Sequence, residues 1–91
     1  MIHIRRTFAG QQVSIVEVRG DFIGAQGEYL RRWLEALQRE HPGMRVHLDL
    51  QRVAKADADA CWALVEAARG GKLAVTRAPE VVKRTLAQLA A

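Results

Sequence analysis

The stretch "LDLQRVAKADADACWALVEAA", residues 48–68, decides how this chain folds. It opens inside "RVHLDL" (45–50), where Val46, Leu48 and Leu50 point one way and Arg45, His47 and Asp49 the other. Strict alternation is the period of a strand packed on one face only. A strand covered by helices on both sides would read apolar throughout, so a two-layer architecture is expected rather than a three-layer one. The second half reads as a helix from about Asp57 to Arg69, with Cys61, Leu64, Val65 and Ala68 forming its stripe and Gly70-Gly71 closing it. Between strand and helix lies "KADADA" (55–60), two aspartates alternating with alanines.

Upstream, "IHIRRTF" (2–8), the turn "AGQQ" and the β-branched run "VSIVEVRG" (13–20) predict a β-hairpin. Gly20, Gly24 and Gly27 then lead into "EYLRRWLEALQRE", where Leu30, Trp33, Leu34 and Leu37 fall on one helical face. Glu28–Arg32 and Glu35–Arg39 are spaced for acid-first pairs, and "HPGM" (41–44) ends the helix. Downstream, "KLAVTR" (72–77) is a short strand. "APEVVKRTLAQLAA" is a last helix with Pro79 in its first turn and Val82, Leu86 and Leu89 inward. The order β-β-α-β-α-β-α predicts an α/β fold of one domain, residues 1–91. Its mixed sheet of about four strands has an antiparallel N-terminal hairpin followed by parallel β-α units, with about three helices on one face.

Composition bounds the function. The 91 residues are 49% apolar and 26% charged, with a net charge of +4. These are globular proportions, and the chain has no apolar run of the roughly 20 residues that span a bilayer. The start "MIHIRRTF" lacks a signal-peptide core, which points to a cytoplasmic protein without membrane insertion. One cysteine, Cys61, excludes an internal disulfide and a Cys-rich zinc site. The basic residues are spread along the chain and only five aromatics accompany them, a pattern of solvated surface rather than of nucleic-acid binding.

Chemistry-bearing residues are few. Asp57 suits a helix N-cap with Asp59 in the first turn; the sharper alternative is a pair of catalytic or metal-binding carboxylates, but residues two apart diverge at a helix start. His3 and His47 lie on strands and could share the open sheet face with Asp49 as metal ligands, at no standard spacing. Cys61 sits on the buried stripe, as an inert core thiol does. "GDFIGAQG" has no phosphate-loop spacing. Hydroxyls are limited to Ser14, Thr7, Thr76 and Thr85, none at the acidic turn. Nothing assembles a nucleophile, a base and an oxyanion hole, so neither an enzyme nor a cofactor is expected. Trp62 points off the stripe's centre and has two readings. It folds over the core rim, or it is an exposed anchor for a partner.

Together these features resemble a STAS domain, the fold named for sulfate transporters and anti-sigma-factor antagonists. That family's signature is a strand reading roughly Leu-Asp-Leu, a connecting hydrophobe, then Asp-Ser-Ser-Gly opening a helix. Here Leu48–Leu50 match the strand, Val53 the hydrophobe, and "DADACWALVEA" the helix. "VEVRGDF" and "GGKLAVTRAPEVVKRTL" are similar to the family's flanking steps.

The resemblance aligns Asp57 with the signature aspartate, and Ala58 with the serine that a partner kinase phosphorylates in the antagonists. Asp59 then matches the second serine and Ala60 the glycine. A register two residues later puts Ala60 at the acceptor and Cys61 next. Neither supplies a hydroxyl, so no phosphorylation switch is expected at this turn. Three versions follow: a permanently binding-competent domain, a fixed charge at Asp59 imitating phosphate, or, preferred, a plain binding surface. The resemblance implies a protein–protein module docking through Lys55, Asp57, Ala58, Asp59, Trp62, Val65 and Glu66. Its partner would be an anti-sigma factor or kinase, an ABC ATPase of phospholipid transport, or a transporter-associated protein. A homodimer is compatible with it.

Overall fold

The alternation in the first 22 residues folds into the expected hairpin. In the computed structural model, which describes residues 1–91, β1 (Ile2–Gly10) and β2 (Val13–Phe22) pair antiparallel from Ile2↔Gly20 to Gly10↔Val13. α1 (Gln26–Glu40) connects β2 to β3 (Arg45–Ala56). α2 (Ala58–Ala68) connects β3 to β4 (Leu73–Arg77), and α3 (Glu80–Ala90) ends the chain. The sheet order is β1-β2-β3-β4, with β2, β3 and β4 parallel. This is the two-layer mixed α/β fold read from the pattern.

One face of the sheet holds the core. Val16, Val18 and Phe22 of β2 and Val46, Leu48 and Leu50 of β3 are buried under Leu30, Leu34 and Leu37 of α1 and Cys61 and Leu64 of α2. Each large aliphatic or aromatic side chain removed from water here contributes about 1.5–3 kcal/mol. Ser14 is buried on the same face, where its hydroxyl accepts from Arg6 Nε at 3.1 Å and donates to Met44 Sδ at 3.4 Å.

β3 runs six residues further than its strict alternation, to Ala56. Between Asp49 and Arg52 it advances three residues while β2 advances two, from Glu17 to Arg19. This bulge lets Leu50 and Val53, three apart, face the same core. The Asp49 carboxylate accepts the Gln51 N–H at 2.9 Å, occupying a donor that the irregular ladder leaves free.

Smaller corrections have local causes. Pro79 is the N-cap of α3, extended at ψ 153, rather than a first-turn residue. Glu35 pairs with Arg31 at 3.2 Å rather than with Arg39, because Arg31 lies between Glu28 and Glu35 on the helix surface and reaches both. Glu28 also meets Arg32 at 3.6 Å, as its spacing predicts.

α1 and α2 meet closely near their N-termini, at Gly27 and Ala60. A Cβ placed on Gly27 would stand 2.5 Å from Ala60 Cα and 2.7 Å from Ala60 O. Only hydrogen fits there, and that contact fixes how α2 starts beside α1.

Candidate functional site at the start of the second helix

The acidic turn is built around Asp57. Its backbone is extended, φ −122 and ψ 172, and its Oδ1 accepts the Ala60 N–H at 2.9 Å. Both carboxylate oxygens also accept the Gly24 N–H, at 2.9 and 3.1 Å. Asp57 therefore caps α2 and ties it to the β2–α1 loop. A side chain so occupied is a clamp for the turn rather than a free acid.

Asp59, in the first turn, is exposed and favours the positive end of the helix dipole. Ala58 is exposed and Ala60 fully buried. Of the two positions that the resemblance equates with a phosphoacceptor, only Ala58 faces outward. The hydroxyls elsewhere are differently placed. Ser14 is 0% exposed, Thr85 donates to Val81 O at 2.9 Å within α3, and Thr76 donates to Leu48 O at 3.4 Å.

Trp62 stands as a ridge between two hollows and is 40% exposed. On one side, α1 and α2 frame a polar groove of about 390 Å³ lined by Glu28, Arg31, Asp59, Trp62 and Glu66, among others. The Arg31 guanidinium hydrogen-bonds Glu28 at 2.6 Å and holds its carboxyl below the usual range, while Arg31 itself is pushed higher. On the other side, α2, α3 and the edge strand β4 frame a cleft of about 600 Å³. Its walls are apolar: Trp62, Val65, Ala68, Val75, Leu86 and Leu89. Arg69 closes its end, with its guanidinium 5.4 Å from the Trp62 ring centroid.

The structure thus groups the expected residues unevenly. Asp59, Trp62 and Glu66 share the polar groove, and Trp62 and Val65 share the apolar cleft. Lys55 lines neither; it lies at the end of β3 opposite Asp21. Cys61 is fully buried, and burial foremost, with the Asp57 charge second, pushes its thiol up. The α3 wall of the cleft and the Glu28–Arg31 pair were not among the expected site residues. Leu86 and Leu89 carried a signal in their inward spacing, but nothing in the sequence indicated that α1 would turn Glu28 and Arg31 toward α2.

The histidine site does not form. His3 pairs with Arg19 and His47 with Ile15, four residues apart along β2, which separates them by about 13 Å along the strands alone. No three His, Cys, Asp or Glu side chains converge as metal ligands. No helix is long and apolar enough to cross a membrane. No family model matches this chain, and no curated protein matches it.

Proposed function

We infer that this chain is a non-catalytic, cytoplasmic protein–protein interaction module of the STAS type, docking through the first two turns of α2. The observation that carries the reading is Trp62, a large aromatic left 40% exposed between a charged groove and an apolar cleft. Tryptophan, with tyrosine and arginine, is enriched at binding hot spots. The fitting partner presents an aliphatic or aromatic side chain to the cleft and a basic side chain to Asp59.

Ala58 bears on how the contact is regulated. An antagonist switched by a serine kinase would need a hydroxyl at this exposed position, and alanine supplies none. That favours a constitutive contact with no phosphorylation cycle, as in an anti-sigma-factor antagonist-like module held in its binding form. Docking onto the ATPase subunit of a phospholipid-transport ABC complex is the second reading, since that role needs a docking surface more than a phosphorylation cycle.

The test is a pull-down with wild type, Asp59→Lys and Trp62→Ala as bait, followed by quantitative binding to a purified anti-sigma factor and a purified ABC ATPase subunit. Loss of affinity in both variants, each with an unchanged circular dichroism spectrum, is the expected result. Equal affinity in all three proteins would remove the α2 surface from the interface.

A further inference from the structure

The sheet face away from the helices carries a row of basic side chains, His3, Arg19 and Arg52, that enter none of the chain's ion pairs. His3 of β1 is the Cα partner of Arg19 of β2, and Arg19 is the partner of Arg52 of β3. The three side chains, with Gly20, line one open depression of about 670 Å³. Arg52 belongs to this face because of the bulge. Strict alternation from Leu48 and Leu50 would send it into the core, and the extra residue in β3 turns it out beside Arg19.

The adjacent row differs in kind. Arg5, Glu17 and Asp49 follow one another across β1, β2 and β3, and Arg77 lies 4.0 Å from Asp49. Glu17 and Asp21 flank Arg19 two residues to either side, yet the chain's five ion pairs include neither Arg19 nor Arg52. Like charges directly across a strand pair repel. Folding has nonetheless set the Arg19 and Arg52 guanidiniums directly across β2 and β3, with the His3 imidazole next in the row and no carboxylate between them.

We propose that His3, Arg19 and Arg52 form a binding site for a phosphate group. One guanidinium fork saturates a carboxylate, whereas a phosphate offers more oxygens and more charge, enough to accept from two forks and an imidazole together. A single anionic group fits better than a polynucleotide. The face carries no aromatic side chain for base stacking, and the acids of the next row oppose an extended chain of phosphates. The site lies on the opposite layer from α2, so it stands apart from the docking surface.

The test uses the full ¹⁵N-labelled chain at low ionic strength, with wild type, Arg19→Gln, Arg52→Gln and the control Arg84→Gln. Inorganic phosphate is titrated by NMR, and phosphatidylglycerol-containing phosphatidylcholine vesicles by co-sedimentation. Saturable shifts at His3, Arg19 and Arg52 with phosphate identify a free phosphate group; binding confined to vesicles identifies a headgroup. In either case Arg19→Gln and Arg52→Gln weaken binding about tenfold or more while Arg84→Gln leaves it unchanged. No saturable response to either probe overturns the site. So does an equal loss in Arg84→Gln, or binding confined to a single-stranded oligonucleotide run in parallel.

Discussion

The Asp57 carboxylate accepts the Gly24 N–H with both oxygens, at 2.9 and 3.1 Å, while its Oδ1 also accepts the Ala60 N–H at 2.9 Å. One side chain thus joins the end of β3, the start of α2 and the loop before α1. Asp57→Ala removes a helix cap and a loop tether, and is expected to cost about 1–2 kcal/mol. Asp57→Asn keeps an accepting oxygen and loses chiefly the charge at the helix N-terminus, about 0.3–1 kcal/mol. Urea unfolding of the two variants checks the order. Equal losses would mean that charge, not hydrogen bonding, sets Asp57's contribution.

Gly27 is the second fixed point. The backbone atoms of Ala60 occupy the space a side chain would need, and backbone cannot rotate aside. Gly27→Ala gains up to about 1 kcal/mol of helix propensity, yet separating α1 from α2 should outweigh it, leaving a net loss of about 1–3 kcal/mol. Gly70→Ala is the contrast, since nothing lies within 4 Å of a Cβ there. Thermal unfolding should show a lowered midpoint for the first variant and little change for the second.

Trp62 and Leu64, two residues apart on α2, differ in burial: Trp62 is 40% exposed and Leu64 is buried. Trp62→Ala gives up partial burial and the contact with Arg69, and should cost about 1–2 kcal/mol while weakening binding to the proposed partner. Leu64→Ala opens a cavity in the core and should cost about 2–5 kcal/mol. Chemical denaturation set beside a binding assay separates the two. A Trp62→Ala protein as unstable as Leu64→Ala would make the tryptophan a core residue.

Cys61 supplies a pH prediction. Its thiol is raised in the folded protein by burial and by the Asp57 charge, so the unfolded thiol ionises first as pH rises. Above the ordinary thiol pKa the unfolded state therefore holds fewer protons than the native state, and stability falls with rising pH until the folded thiol also ionises. Cys61→Ala should flatten that alkaline slope. A disulfide-exchange reagent should label Cys61 only through transient unfolding, far more slowly than an exposed thiol, and rapid labelling of the native protein would contradict its burial.

The periodicities of the chain were sufficient for the element order, the two-layer architecture and most of the core. Even so, α2 buries Ala60, Cys61, Ala63 and Leu64, while Val65 and Ala68 of its expected stripe are half-buried. An alternating strand and a 3.6-residue stripe each state which face is buried without reference to any partner. The N-cap at Asp57 was equally legible, because capping is local chemistry. The bulge in β3 was not, since it exists only against the register of β2, and it alone decides that Val53 is buried and Arg52 faces out beside Arg19. Nor did the sequence reveal that Gly27 meets Ala60, that Asp57 reaches Gly24, or that α3 makes Trp62 the wall of a cleft. Local pattern determined what each segment is. Contacts between residues more than 20 apart decided where its side chains are used.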